Sequence, residues 1–449
     1  MRIDWLELRN FKKFREESLR FPRRADAAPD AGSFHVLIGE NGVGKTSILD
    51  ALAVALGVWL ERKPDSLLEN SHRRITKDQK RLLGTKLGDR WQLQQAQETT
   101  SVRVRGDILD QRSVTWGQAL PIGRSKVSNE LSKAVLARIW DAYQSIGTGE
   151  KVLLPVVCYY GAGRAWLPHN ERQKAKAKSN GPANRWEAFY DCLNERIRFA
   201  DLAHWFQVEQ LAKGAGDGQY RPGFEVVRRA ILACVPDADG VSYDGDFKEI
   251  VLSINGNAQP LSNLSAGQRV MLTLVADLAI RIVTQNNFLV PADKLTADDE
   301  PLPRVLAQTP GVVLIDELDV HLHPTWQRRA AVDLQRIFPK IQFVTTTHSP
   351  QVIGGVHPEE IIRLLPAGGH DVPAQSYGMD TNWILQVLMN ADEQQPDVKH
   401  DLKHIFDLIA ERKLDDAQLE VGKVREQIGN SEALQRAAST IERIRLFGK

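Results

Sequence analysis

Hydrophobic and polar residues alternate at Ile3-Asp4-Trp5-Leu6-Glu7-Leu8, the period of a half-buried strand, and a second strand is expected around 19–21. Nearly continuous apolar runs at 34–38, 152–160, 311–315 and 341–345 have the pattern of strands buried on both faces. Helical spacing covers 47–60, 131–143 and 324–338, the last with Pro324 in its first turn. Residues 101–106 and 113–117 read as paired antiparallel strands, and 241–254 alternates into Asn255-Gly256-Asn257, a hairpin turn. Residues 61–97 are charged and helix-prone, 186–212 and 224–235 read as helices, and from 380 onward the chain is helical. Residues 286–309 are polar and proline-punctuated, as expected of a surface insertion.

The composition adds little to this pattern. Lys and Arg number 58 against 57 Asp and Glu, so no global field marks a nucleic-acid partner and any such contact must be local. One local excess lies at 169–185, where Arg172, Lys174, Lys176, Lys178 and Arg185 face a single acid, Glu171. It reads either as a solvated loop or as a salt-dependent contact with a DNA backbone or acidic partner. Cys158, Cys192 and Cys234 are too scattered for zinc or a disulfide framework and are expected as buried thiols. The longest apolar run, 48–60, contains Asp50 and is too short to span a bilayer. The first fourteen residues are charged and alternating, unlike a signal peptide. A soluble, cytoplasmic protein without a membrane partner is expected.

The chemistry begins where one apolar run ends. Gly39-Glu40-Asn41-Gly42-Val43-Gly44-Lys45-Thr46 fits the G-x-x-x-x-G-K-[ST] phosphate loop between an expected strand and helix, the context the motif requires. The amides from Asn41 through Thr46 form an anion-binding nest there, and Lys45 would neutralise β/γ oxygens. Far downstream, Leu264-Ser265-Ala266-Gly267-Gln268 puts a small turn before a helix over 268–282, whose free N–H groups suit an anion. The strand over 311–315 ends in Asp316-Glu317, and the strand over 341–345 ends in Thr346-Thr347-His348-Ser349.

These segments resemble, in family order, the ABC-type ATPases of the RecF/SMC/OLD-like branch. LSAGQ is similar to the signature sequence, VVLIDE to Walker B, Leu318-Asp319-Val320 to the D-loop, and His348 to the switch histidine. The opening Arg9-Asn10-Phe11-Lys12-Lys13-Phe14 resembles the start of the same branch. The resemblance implies a P-loop mixed sheet with an antiparallel β subdomain, an α/β ATPase head with a helical insertion and a C-terminal helical region. It divides the chain into 1–60 with Walker A, 61–240 with a Q-loop-like segment and insertion, 241–379 with signature through switch histidine, and 380–449 as a helical partner-docking region. It also implies ATP and Mg²⁺ as ligands. Lys45, Glu317 and His348 would be catalytic, with Glu317 activating the attacking water; Thr46 and Asp316 would hold Mg²⁺. Nucleotide contacts would come from Asn41, Gly42, Val43, Gly44, Ser47 and Asp319, and from Ser265, Ala266, Gly267 and Gln268 of a second copy. Arg9 and Lys12 either hold nucleotide or are solvent-facing cations of an edge hairpin. No Gln stands after 152–160, where a Q-loop would begin; Arg164 of Gly161-Ala162-Gly163-Arg164 either substitutes or belongs to a plain turn. His321 and His323, at i and i+2, read as structural rather than as a helical metal pair.

YYGAGR, IDELDVHLHP, TTHSP and GMDTNWILQVLM bring the chain nearer to the PtuA-type anti-phage ATPases of Septu and retron-associated systems. That likeness implies a head-to-tail dimer within a higher oligomer and a separate HNH nuclease. A reverse transcriptase with its noncoding RNA would be a further partner if the setting is a retron. No nuclease site of its own is visible. The alternative is a DNA-repair ATPase like RecF that binds DNA directly. A transporter motor is disfavoured by the missing Gln and by the 218-position step from Thr46 to Leu264.

Overall fold

The computed structural model describes residues 1–61, 73–87, 90–165, 185–197, 199–216, 218–235, 237–291, 295, 302–391 and 395–448. The chain falls into two compact units, Met1–Met379 and Asp380–Lys449.

In the first unit, β1 (Arg2–Phe11) and β2 (Phe14–Arg20) form an antiparallel hairpin, and β3 (Ser33–Ile38) leads through the phosphate loop into α1 (Lys45–Leu56). A 3₁₀ turn carries α1 on to Leu60. In place of the expected helix, β4 (Leu82–Leu87) pairs antiparallel with β5 (Arg90–Gln95). All twelve strand residues of this pair are exposed, so neither face carries a buried stripe. Next, β6 (Thr100–Ile108) pairs with β1, and β7 (Gln111–Leu120) with β6, giving a four-stranded antiparallel sheet in the order β2-β1-β6-β7.

After α2 (Lys133–Gly147) comes β8 (Val156–Tyr160), an edge of the central sheet. The outer edge of β8 is bonded by loop backbone: Tyr159 N–H donates to the Cys192 carbonyl at 2.7 Å, and Gly161 N–H to that of Glu195 at 2.8 Å. This is why 186–212 is not one helix. Its first part is a 3₁₀ turn and a loop serving that edge, and α3 starts only at Phe199 (Phe199–Ala215). Then α4 (Pro222–Cys234) precedes a three-stranded sheet in the order β11-β10-β9, built from β9 (Ala238–Asp244), β10 (Glu249–Ile254) and β11 (Asn257–Pro260). Asn255 (φ 51) and Gly256 (φ 76) supply the left-handed pair that its two-residue turn needs. The sheet hands the chain to α5 (Ala266–Gln285).

Short α6 (Arg304–Gln308) precedes β12 (Gly311–Ile315), followed by α7 (Pro324–Ile337), β13 (Ile341–Thr346), α8 (Pro350–Ile353), β14 (Ile361–Leu364) and β15 (His370–Asp371). The central sheet has the order β15-β14-β3-β13-β12-β8, parallel throughout except for β15. The expected architecture, a mixed sheet plus an antiparallel subdomain, is present. Between the two sheets runs α1, buried on every side from Ile48 to Leu56. Trp116 Nε1–H donates to the Ala55 carbonyl at 3.0 Å, the Tyr143 hydroxyl to that of Trp59 at 3.0 Å, and Trp59 stacks on Phe189 at 5.5 Å. All three cysteines are buried, and burial raises each thiol, Cys158 to about 12. Among the described residues no helix is long and apolar enough to cross a membrane.

The second unit holds α9 (Thr381–Trp383), a π-helical turn to Leu388, and then α10 (Pro396–Ala410), α11 (Leu414–Ile428) and α12 (Glu432–Phe447). Its core joins Leu402, Ile405 and Ile409 to Val421, Val424, Leu434 and Ile441.

Candidate functional site

In an open α/β sheet, ligands bind outside the carboxyl ends of the parallel strands, where loops diverge. Here β3, β8, β12 and β13 all end together, and the polar residues of the motifs sit on those ends. The loop after β3 needs glycine at Gly44: its φ is 109, and an added Cβ would stand 2.5 Å from the Phe14 ring. Lys45 opens α1, and its ammonium donates to the carbonyls of Gly39 at 2.8 Å and Glu40 at 3.0 Å. Burial lowers its pKa, while Asp316, Glu317 and Asp319 together pull it back up. Asn41 and Gly42 are exposed on the loop, Val43 is buried beneath it, and Ser47 is half-buried in the first turn of α1.

Asp316 is the hub. Thr46 Oγ1 donates to Oδ2 at 3.0 Å, and Thr346 Oγ1 donates to Oδ1 at 2.6 Å. The pairing of Ile315 with Thr345 brings Thr346 abreast of Asp316. The same Thr346 oxygen accepts the Glu317 N–H at 2.7 Å. Glu317 has φ 48, a left-handed conformation unusual for a non-glycine residue and costing on the order of 1–2 kcal/mol. That bond holds it in place. Asp319 Oδ1 then accepts the Thr347 hydroxyl at 2.5 Å and the His348 N–H at 3.2 Å, tying the loop after β12 to the loop after β13. His348 is half-buried beside it.

Ser265 caps α5 in a reciprocal box: its Oγ accepts the Gln268 N–H at 3.3 Å, and its own N–H donates to Gln268 Oε1 at 3.0 Å. The remaining first-turn amides, those of Ala266 and Gly267, have no intrahelical acceptor. A Cβ on Gly267 would stand 2.7 Å from the His321 carbonyl oxygen, so the first turn of α5 rests on the loop that follows Glu317. Ser265 itself is exposed. Among the described residues no hydrogen bond joins 264–268 to 39–46. His323 Nδ1 accepts the Thr325 N–H at 3.4 Å as the cap of α7.

Lys45, Thr46, Asp316, Glu317, Asp319 and His348 are thus brought together, and Ser265 through Gln268 form a separate helix start. Arg9 lies outside the group, exposed and paired to Glu7 at 2.8 Å and Glu16 at 3.4 Å. Lys12 is ion-paired with Asp50 of α1. The side chain of Arg164 and residues 169–184 lie outside the described residues. Two contributors were missed from sequence. Lys13 Nζ donates to the Gly42 carbonyl at 2.6 Å, and the only sequence signal for it was the doubled lysine of the turn. In sequence Thr346 is simply a strand end, and nothing in its local pattern announces that it bridges Asp316 and Glu317.

Among the described residues no group of three or more His, Cys, Asp or Glu side chains is placed to hold a metal ion. The Thr46 hydroxyl and Asp316 carboxylate nevertheless converge, and one or two hard oxygen donors beside phosphates are what Mg²⁺ takes from proteins. These residues fit the ion.

Comparison with known proteins finds several likenesses. Residues 6–213 match an AAA domain family, and residues 240–354 match a second AAA domain family whose description mentions the AbiEii toxin of type IV toxin–antitoxin systems. The chain is 31% identical to the Retron Ec83 probable ATPase of Escherichia coli over 39% of its length and 30% of that protein. It is 26% identical to the Retron Vc95 probable ATPase of Vibrio cholerae over 73% of its length and 68% of that protein. It is 25% identical to the Septu protein PtuA of Bacillus mycoides over 81% of its length and 40% of that protein. The chain therefore spans well under two thirds of two of these relatives. Among solved structures, the SMC head domain of Thermotoga maritima aligns at 15% identity and a TM-score of 0.44, over 84% of this chain and all of that one. By these matches residues 6–213 and 240–354 are each similar to an AAA domain family, and the chain is similar to the retron probable ATPases and to Septu PtuA.

Proposed function

We propose that the protein hydrolyses ATP at the carboxyl ends of β3, β12 and β13, and that two copies grip each nucleotide head to tail. The observation that carries the reading is the bridge from Thr46 through Asp316 and Thr346 to the Glu317 backbone, directly beside Lys45. Phosphoryl transfer is mostly positioning and charge stabilisation, and these residues supply both. The loop amides and Lys45 hold the β- and γ-phosphates. Thr46 and Asp316 would hold Mg²⁺, which neutralises charge developing on the phosphate oxygens. Glu317 orients the attacking water and takes its proton, and His348 contacts the γ-phosphate. The exposed start of α5 around Ser265 presents free amides to the γ-phosphate of the other copy.

The likeness to Septu and retron proteins supports a role in anti-phage defence, with ATP state controlling a separate HNH-type nuclease. In that reading the second unit, 380–449, docks the partner. The test is phosphate release from MgATP by the purified chain, with Lys45→Ala as control, followed by co-purification with the products of adjacent genes with and without ATP. Equal turnover by wild type and Lys45→Ala would end the ATPase reading. Absence of a nuclease from the purified complex, in either nucleotide state, would end the defence-nuclease reading.

A further inference from the structure

Asp50 is a carboxylate inside the apolar surroundings of α1, 4% exposed, and it lies four residues after Thr46 on the same helix face. Two cations meet it: Lys12 Nζ pairs with Oδ2 and Arg73 Nη2 with Oδ1. One cation suffices to neutralise a buried carboxylate, so the second is surplus.

The two cations are held differently. Arg73 is anchored on several sides. Its Nη1 donates to the Leu193 carbonyl at 3.2 Å, and its guanidinium lies over the Tyr159 ring at 5.1 Å. Glu195 approaches it at 3.5 Å, and the Arg73 carbonyl accepts from Gln118 Nε2 at 3.3 Å. Lys12 sits on the β1–β2 turn, which packs on the phosphate loop through Lys13 at the Gly42 carbonyl and Phe14 against Gly44. Its side chain is 32% exposed against 20% for Arg73. Lys12 is thus the cation with freedom to leave.

We propose that Asp50 is the resting place of Lys12, and that Arg73 is a positioning residue that keeps Asp50 neutralised when Lys12 swings to the phosphates of a bound nucleotide. This rests on the reading that those phosphates occupy the loop at 39–46. Without Arg73, the move would strand a buried carboxylate, and Lys12 would stay where it is. Nucleotide contact, one of the two roles that the sequence leaves open for Lys12, and the observed Lys12–Asp50 pair then describe two states of one side chain.

The experiment is equilibrium binding of MgATP to the full chain carrying Arg73→Gln, Asp50→Asn, or both, with thermal melts to confirm folding. Arg73→Gln weakens binding by about fivefold, the worth of one ion pair of about 1 kcal/mol. Asp50→Asn binds at least as tightly as wild type, and the double variant returns to within about twofold of wild type. Arg73→Lys, which keeps the charge, also stays near wild type and replaces Arg73→Gln if that variant does not fold. In a Lys12→Gln background, Arg73→Gln costs nothing further. A double variant as weak as Arg73→Gln alone, or a further loss in the Lys12→Gln background, would make Arg73 a purely structural residue and overturn the proposal. Wild-type binding that survives Lys45→Ala would instead refute the phosphate-loop reading beneath it.

Discussion

Thr346 donates its hydroxyl proton to Asp316 at 2.6 Å while the same oxygen receives the Glu317 N–H at 2.7 Å. One side chain therefore orients the acid assigned to the metal and fixes the backbone of the acid assigned to the water. Thr346→Val keeps the shape and removes both bonds. It should cost about 1–3 kcal/mol of stability, because a buried acceptor and a backbone donor lose their partner. Turnover should drop between about ten- and a hundredfold through misplacement of Glu317, with ATP affinity largely retained. Paired thermal melts and steady-state phosphate release check this; wild-type turnover in the valine variant would remove the bridge from the account.

Glu317→Gln leaves the strand end and the Thr346 bond to its backbone intact but removes the proton acceptor. Turnover should fall by about 10²–10³-fold, comparable to losing one key electrostatic group. ATP should then hold the chain in a paired state visible by size-exclusion chromatography. Normal turnover would show that another group activates the water.

Ser265→Arg puts a long cation at an exposed helix start whose hydroxyl now caps α5. Loss of the cap costs on the order of 1 kcal/mol, too little to unfold the chain. ATP-dependent association should disappear, while a single chain still binds ATP as measured by titration. If binding to the isolated chain vanishes too, the loop around Ser265 serves its own nucleotide.

His35 is fully buried on β3, and among the described residues neither ring nitrogen has a hydrogen-bond partner. Burial, with the charge of Arg2, pushes its pKa well below 6.5, so the native state keeps it neutral. The unfolded chain takes up a proton below about 6.5 and the native chain does not, so stability falls as pH drops, by up to about 1.4 kcal/mol per pH unit. His35→Leu should flatten the change in melting temperature between pH 7.5 and pH 5.5 relative to wild type. Parallel curves for the two proteins would contradict this.

What could be read from sequence follows from what imprints a local pattern. β12, buried on both faces and next to two acids, was legible to its last residue, and the spaced glycines and lysine announced the phosphate loop. The β4–β5 pair reads as helix-prone in sequence because neither of its faces is buried, so no two-residue alternation is written into Leu82 through Gln95. The helix expected over 186–212 was wrong at its start because Cys192 and Glu195 give their carbonyls to β8, a long-range role without local signature. Thr346, Lys13 and Arg73 escaped for the same reason: each acts on a residue distant in sequence.

The most direct measurement is a structure of the Glu317→Gln chain with ATP and Mg²⁺. The account places Ser265 Oγ and the Gly267 N–H of one copy within about 3 Å of the γ-phosphate held at Lys45 of the other. It is contradicted if every γ-phosphate is covered by its own chain or by solvent, with the Ser265 turn of each copy remote from nucleotide.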